Sequence, residues 1–311
     1  MVQRLLNSKY EKIKEKYKSY QDKSLSIIKD KLYKLDIRLY DEIVLFLKGS
    51  KNIRSLILYL ICLLYDTKID KNIIKIGIIT ELIHNASLLH DDVVDDCDIR
   101  RGILTFNKKY DNKFACLLGD YMLTLAVNEM LSLNCARIEK NFNRAINHMC
   151  IGEIEQYQDR YKIITMKKYI QKCIRKTSLL YEAACYAFCC LYIKDYKKAI
   201  KIVKFARYFG IAFQIKDDLN NIFDENYVKP KLNDIKNGIY NSNAIFASYD
   251  YPDLFYKSEE EYINILKNEK YINKSKKLIE KYVKKAEKAL ETINNSTYKE
   301  DLFTILDMFM L

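Results

Sequence analysis

The segment LLHDDVVDD, residues 88–96, crowds four aspartates into six positions beside two leucines and two valines. A buried segment would avoid that much charge, because an unpaired carboxylate loses its hydration on burial. A solvated segment would have no use for the aliphatics. In a helix Asp91 and Asp95 stand one turn apart, with β-carbons about 5–6 Å from each other. Asp92 and Asp96 form a second such pair, rotated by about 100°. Carboxylates spaced in this way can share a hard cation through oxygen. Mg2+ in particular favours a few carboxylates completed by water and phosphate oxygens. Four acids at the C-terminal end of a helix also oppose its dipole, so surplus surface charge explains the placement poorly.

The chain around this segment reads as helical. It has 311 residues, with only 7 Gly and 2 Pro, too few for the many turns of a β or α/β fold. Apolar stripes recur at helical period. They predict one or two Lys-rich amphipathic helices over 1–48 and strongly apolar ones over 53–65 and 71–96. Further helices are predicted over 114–135, 137–160, 166–192 and 195–224, then a helical hairpin over 258–292 and a last helix over 298–310. The stretch NYVKPKLNDIKNG, 226–238, reads as a polar loop. No repeat or linker divides the chain. The expected architecture is a single all-α domain over residues 1–311, with a basic N-terminal helix over 1–30.

Composition narrows the function classes. The net charge is +12, but the excess is Lys spread over helical faces, and no zinc-finger, RRM or helix-turn-helix pattern is present, so a nucleic-acid partner is not expected. The 9 cysteines are scattered, with no CxxC pair, as in a reducing compartment. No signal peptide is visible, and LILYLICLLY at 56–65 is too short to span a bilayer. A cytoplasmic location is expected. Glu11, Glu15 and Asp22 temper the basic N-terminus and favour a solvated helix there over membrane contact.

A second acid cluster lies far along the chain, in AFQIKDDLNN at 212–221. Asp217 and Asp218 end an apolar helical stretch, and Asn221, one turn on, is still an oxygen ligand. Two acid clusters on different helices could face each other across a bundle and grip one polyanion through shared metals. Between them lie cations suited to phosphate oxygens: Lys51 and Arg54 in GSKNIRS, Arg100 and Arg101, Lys176 in RKTS, and Lys229.

These motifs, in this order, resemble the trans-isoprenyl diphosphate synthases, specifically the long-chain polyprenyl diphosphate synthases. GSKNIRS (49–55) is similar to the family's GGKRxRP, and ELIHNASLLHDDVVDDCDIRRG (81–102) to its first aspartate-rich motif, DDxxD, with the following Arg-Arg-Gly. LLGDYML, GEIEQ and RKTSLLYEA match its GD, GE and KT elements, and FQIKDDLNN its second aspartate-rich motif. The resemblance covers roughly residues 40–250. It implies the isoprenoid synthase fold, a helical bundle around a deep central cavity, usually as a homodimer, and Mg2+-dependent head-to-tail condensation of an allylic diphosphate with isopentenyl diphosphate, with about three Mg2+ ions per active site. By position it implies metal ligation by Asp91, Asp92, Asp95, Asp217, Asp218 and Asn221, with Asp91, Asp95 and Asp217 foremost. Arg100, Lys176 and Lys229 would hold the allylic diphosphate. Lys51, Arg54, His84 and Arg101 would hold the isopentenyl diphosphate. Lys176, Thr177 and Gln214 would face the developing carbocation. His90 is expected to be a packed or hydrogen-bonded residue at the helix end.

The pattern also has departures. Asn221 stands where the second motif normally ends in aspartate, Ile239 where many relatives carry lysine, and YNSNA (240–244) replaces the usual Thr-Leu-Pro continuation. Ser50, Asn52 and Ser55 replace the usual Gly, Arg and Pro of the isopentenyl loop. These departures keep open a weakly active or regulatory subunit of a heteromer. Ala86 and Ser87, one turn before Asp91, are small and would leave a product channel open. The expected product is therefore longer than geranylgeranyl, a short-chain geranylgeranyl diphosphate synthase being the alternative. Leu123, Val127 and Met130 are candidates for the channel floor. Peripheral membrane contact through the lipid product is a further expectation.

Overall fold

The computed structural model describes residues 2–32, 35, 37–49, 52–223, 238–293 and 295–310. The chain runs through helices α1 (Val2–Leu32), α2 (Ile37–Lys48), α3 (Ile53–Leu64) and α4 (Lys71–Val94), then a two-stranded hairpin, β1 (Ile99–Arg100) and β2 (Ile103–Leu104). It continues through α5 (Phe106–Lys109), α6 (Asn112–Leu131), α7 (Ala136–Gln158), α8 (Met166–Cys173), a π-helical segment (Ile174–Ser178), α9 (Leu179–Tyr192) and α10 (Tyr196–Phe223). The last elements are α11 (Ser242–Ser248), a 3-10 turn (Leu254–Tyr256), α12 (Glu259–Leu266), α13 (Glu269–Leu290) and α14 (Thr297–Asp307). The helical reading of the sequence therefore holds, with the small hairpin added. The predicted loop 226–238 lies outside the described residues except at Gly238.

Helix α4 is the centre of the bundle. It starts where Asp70 caps it, its Oδ1 accepting from the Asn72 and Ile73 amides at 2.9 and 3.0 Å. From Ile73 to Ala86 it is buried on nearly every side, as is α3 along its whole length. That is why both lack a polar face. Each buried Leu or Ile among them contributes roughly 1.5–3 kcal/mol. α4 packs most extensively on α6, and α10 on α13. By length and composition α6 is apolar enough to cross a membrane. Here it lies along α4, and its open face carries Asp120, Thr124 and Asn128 beside Leu117, Val127 and Leu131. One large apolar core runs through α1–α10, α13 and α14. A second, smaller cluster joins Ile222 at the end of α10 to Tyr240, Ala244, Leu254, Tyr262 and Tyr271.

Two local features differ from the expected helices. The predicted helix over 166–192 is broken by the π segment. Arg207, from α10, donates to both carboxylate oxygens of buried Glu182 on α9, at 2.9 and 2.7 Å. Ser178 donates to the same carboxylate at 3.1 Å and to the Arg207 carbonyl at 2.8 Å. Gly210 lets α10 approach, since a β-carbon there would fall 2.5 Å from the Ser178 α-carbon. This clamp fits the wide turn between α8 and α9, a form that recurs at functional sites. The second feature is the hairpin, which pairs Ile99 with Leu104 and Arg100 with Ile103. Its two turn residues, Arg101 and Gly102, have φ of 54° and 79°, the conformation of a type I′ turn. Glycine takes the second position without strain.

Candidate active site

A cavity of about 760 Å3 opens in the middle of the bundle. Asp91 from α4 and Asp217 from α10 both line it, so the two acid motifs, remote in sequence, meet across one space. Arg54 at the start of α3, His84 on α4, the hairpin's Arg100 and Arg101, and Lys176 and Thr177 of the π segment share the lining, with Gln214 from α10. The apolar wall below the acids comes from Ala86 and Leu88 on α4, Leu123 on α6, Ile146 and Met149 on α7, and Phe213. Ala86 and Ser87, the expected channel residues, are in this lining, as is Leu123. Val127 lies instead on the exposed side of α6, and Met130 is packed in the core.

The four aspartates of the first motif take four different roles. Asp91 faces the cavity. Asp92 is 2 % exposed and lies 2.6 Å from the guanidinium of Arg100, itself 7 % exposed. Asp95 caps the C-terminus of α4, its amide donating to the Asp91 carbonyl. Asp96 has φ of 50° and points to solvent, where Lys108 meets it at 2.8 Å. The Asp92–Asp96 pair expected from an unbroken helix therefore does not form, because the helix ends between its members.

The second motif divides in the same way. Asp217 lines the cavity, whereas Asp218 accepts from Tyr169 Oη and Gln214 Nε2, both at 2.7 Å. Gln214 Oε1 in turn accepts a short hydrogen bond from Thr177 Oγ1. Asp218 thereby fixes the amide of Gln214, which fixes the hydroxyl of Thr177. Asn220 lines the cavity; Asn221 does not. Lys51 and Lys229 lie outside the described residues.

The charges on the lining are strongly coupled. Burial opposes protonation of Lys176, but Glu153 at 2.9 Å, with Asp91 and Asp95 nearby, overrides it and holds this ammonium well above its usual range. Burial, reinforced by Arg54, Arg101 and Arg100, holds the His84 imidazole well below its usual range, hence neutral. Burial and then Arg100 bring Arg101 down to about 10, still cationic at neutral pH. Its guanidinium stacks on Phe46 and donates to the Phe46 carbonyl at 3.1 Å. Among the described residues no three His, Cys, Asp or Glu groups converge into a closed metal cage. The donor set facing the cavity is hard carboxylate oxygen, which fits a cation that completes its shell from water and ligand phosphate, as Mg2+ does.

Three functional neighbours carry no role in the sequence reading. Glu153 stands in GEIEQ and pairs with Lys176. Tyr169 holds Asp218. Glu81 is a lone acid in the apolar run IIKIGIITELI, and that isolation is the signal that could have found it. His90 also lines the cavity, with Nε2 3.2 Å from Asp120 of α6 and 3.3 Å from the Cys116 carbonyl.

Comparison with known proteins gives a consistent result. The polyprenyl synthetase family profile matches residues 38–284. A prenyl transferase from Cyanidium caldarium is 31% identical over 278 residues, 84% of this chain and 85% of that protein. The crystal structure of heptaprenyl diphosphate synthase from Staphylococcus aureus superposes with a TM-score of 0.87 at 25% identity, covering 94% of this chain and 97% of that one. A polyprenyl synthase from Caulobacter crescentus, complexed with calcium and isoprenyl diphosphate, shares the fold with a TM-score of 0.86 at 20% identity, covering 97% of each chain.

The two neighbouring aspartates should behave oppositely in unfolding experiments. Arg100→Ala leaves the Asp92 carboxylate buried without its cation and should destabilise the protein by roughly 3 kcal/mol. Asp91→Ala removes a charge from a solvent-reached cavity and should change stability by less than about 1 kcal/mol. Urea unfolding of both variants checks this; equal losses would contradict the division of roles.

Proposed function

The chain belongs to the polyprenyl synthetase family and is a prenyltransferase, and from that premise we propose that it adds isopentenyl diphosphate head to tail onto an allylic diphosphate to build a long all-trans polyprenyl diphosphate. One observation carries this reading: Asp91 and Asp217 line a single cavity that continues into an apolar wall. A polyanionic head and a greasy tail can occupy such a space together.

In this reading Mg2+ ions, held by Asp91, Asp95 and Asp217, would neutralise charge on the departing diphosphate when bound. Lys176, kept protonated by its acid neighbours, and Arg100 would add direct contacts to phosphate oxygens. The allylic C–O bond breaks, and pyrophosphate leaves with the electron pair. Thr177 and Gln214, fixed by the Asp218–Tyr169 chain, turn oxygen lone pairs toward the allylic cation without offering it a mobile nucleophile. The double bond of isopentenyl diphosphate then supplies the electron pair of the new C–C bond. A proton leaves the adjacent carbon for the released pyrophosphate, and a new double bond forms. His84, held neutral, would hydrogen-bond the isopentenyl diphosphate beside Arg54 and Arg101.

Asp91 and Asp217, the leading aspartates of the two motifs, both line the cavity, which favours a working enzyme over a regulatory subunit although Asn221 stands where the family pattern ends in aspartate. Incubating the pure chain with Mg2+, farnesyl diphosphate and isopentenyl diphosphate tests the proposal. Products longer than geranylgeranyl support it, and geranylgeranyl alone would favour a short-chain synthase. Absence of turnover without a second protein would favour the subunit role. Chelation of the metal should abolish product formation.

Small Ala86 and Ser87 support a long product because they leave the tail's path open. Ala86→Phe should shift the distribution to shorter chains, read by chromatography of the dephosphorylated alcohols. Unchanged lengths would reject this path for the tail.

A homodimer belongs to the same proposal. Leu117, Thr124, Val127 and Leu131 recur on the open face of α6, and its three apolar members are 66%, 37% and 53% exposed in chain order. Such a stripe fits helix-to-helix packing between copies. Light scattering should give a dimer mass for the wild type and a monomer for the Leu117→Glu, Leu131→Glu double variant.

A further inference from the structure

Helix α3 begins abnormally. Its N-cap, Asn52, has φ of 45° and makes no side-chain cap, although the first turn of a helix leaves amides that need acceptors. The Asn52 carbonyl is heavily used: it accepts from Gln21 Nε2 at 3.1 Å, Ser55 Oγ at 3.0 Å and the Leu56 amide at 3.1 Å. The Ser55 amide finds its acceptor far along the sequence, in Glu81 Oε1 at 2.9 Å. Glu81 is 3 % exposed, on α4, and lines the active cavity. A carboxylate from a neighbouring helix thus does the work of the missing cap, at the positive end of the α3 dipole.

The residue between Asn52 and Ser55 that matters is Arg54. It is 8 % exposed, its guanidinium lies over the ring of Tyr181 at 5.3 Å, and it also lines the cavity. It sits in the first turn of α3, where the Glu81 carboxylate takes the Ser55 amide. The family pattern has proline at position 55, which has no N–H to donate. In this chain the serine supplies a donor, and Glu81 receives it.

We infer that Glu81 is a positioning residue of the isopentenyl-diphosphate subsite, acting through the Ser55 amide to set the first turn of α3 and with it the Arg54 guanidinium. This rests on the functional reading above, which assigns Arg54 to that substrate. Glu81 also sets its negative charge among Arg54 and Arg101, so the cluster keeps its arrangement before a diphosphate arrives. The carboxylate touches neither reacting carbon, and its effect should fall on the binding of one substrate.

Steady-state kinetics on the full chain tests this. Glu81→Ala should raise KM for isopentenyl diphosphate about ten-fold, the size of one lost charge-assisted hydrogen bond. KM for the allylic diphosphate and kcat should move by less than about two-fold. Glu81→Gln, which retains an acceptor for the amide, should recover part of the loss. Ser55→Pro removes the donor at a helix position that tolerates proline. It should raise the same KM in the wild-type background and add nothing in the Glu81→Ala background. Independent, multiplying effects of the two substitutions would overturn the proposal. So would equal rises in both KM values, or a loss confined to kcat. Hydrogen exchange separates this inference from the functional reading. If the wild type turned over no isopentenyl diphosphate, the subsite assignment would fall with that reading. Slow exchange at Ser55 that becomes fast in Glu81→Ala would still establish the tie, and exchange unchanged by the substitution would refute it.

Discussion

The ion pair between Asp92 and Arg100 settles how the rest of the site is arranged. It is buried on both sides, so it holds only while each charge has the other. Asp92 also uses its backbone: its carbonyl accepts from the Cys97 amide at 2.9 Å and from Asn107 Nδ2 at 3.3 Å. One residue thereby ends α4, starts the hairpin and anchors the guanidinium beside it. With Asp92 pinned inward, Asp91, about 100° around the helix, is left facing the cavity. The hairpin then delivers Arg101 to the cavity lining, where Phe46 receives it.

The same division appears at the second motif, reached by different chemistry. Asp218 is occupied by a tyrosine hydroxyl and a glutamine amide, and Asp217 faces the cavity. In both motifs one acid faces the cavity while its neighbour in sequence holds the surrounding groups in place. Adjacent residues on a helix cannot both point the same way. Doubling the aspartate therefore gives one inward-facing carboxylate and one supporting carboxylate from a single dipeptide.

Most of the helical architecture was legible in the sequence because apolar periodicity reports which face is buried, most clearly in α2 and α13, while the unbroken apolar runs of α3 and α4 mark helices enclosed by others. The two acid clusters were legible because charge beside aliphatics is costly unless used. What stayed hidden depends on contacts between distant segments. Periodicity cannot show that the run 166–192 widens into a π turn, since the contacts around it, Glu182 with Arg207 and Ser178 with the Arg207 carbonyl, join α10 to this run. Nor can it show that α4 stops before Asp96, where the Asp92 carbonyl accepts from Cys97 and Asn107 and its carboxylate pairs with Arg100. Lys176 was found by its motif, but Glu153, which holds its charge, was quoted without a role, because ion pairing between α7 and the π segment leaves no mark on spacing.

The small apolar cluster at the far end of α10 has a mechanical consequence. Ile222, one turn beyond Asp217, is packed with Tyr240, Leu254 and Tyr262 and belongs to that cluster, outside the main core. Groups of residues with their own packing open as separate cooperative units, at a lower free energy than the whole protein. Leu219, between Asp217 and Ile222, still belongs to the main core, so the boundary between the two packing units falls in the last turn of α10. Breathing of the satellite would therefore fray the end of α10 beyond Leu219 and leave both acid walls of the cavity in place.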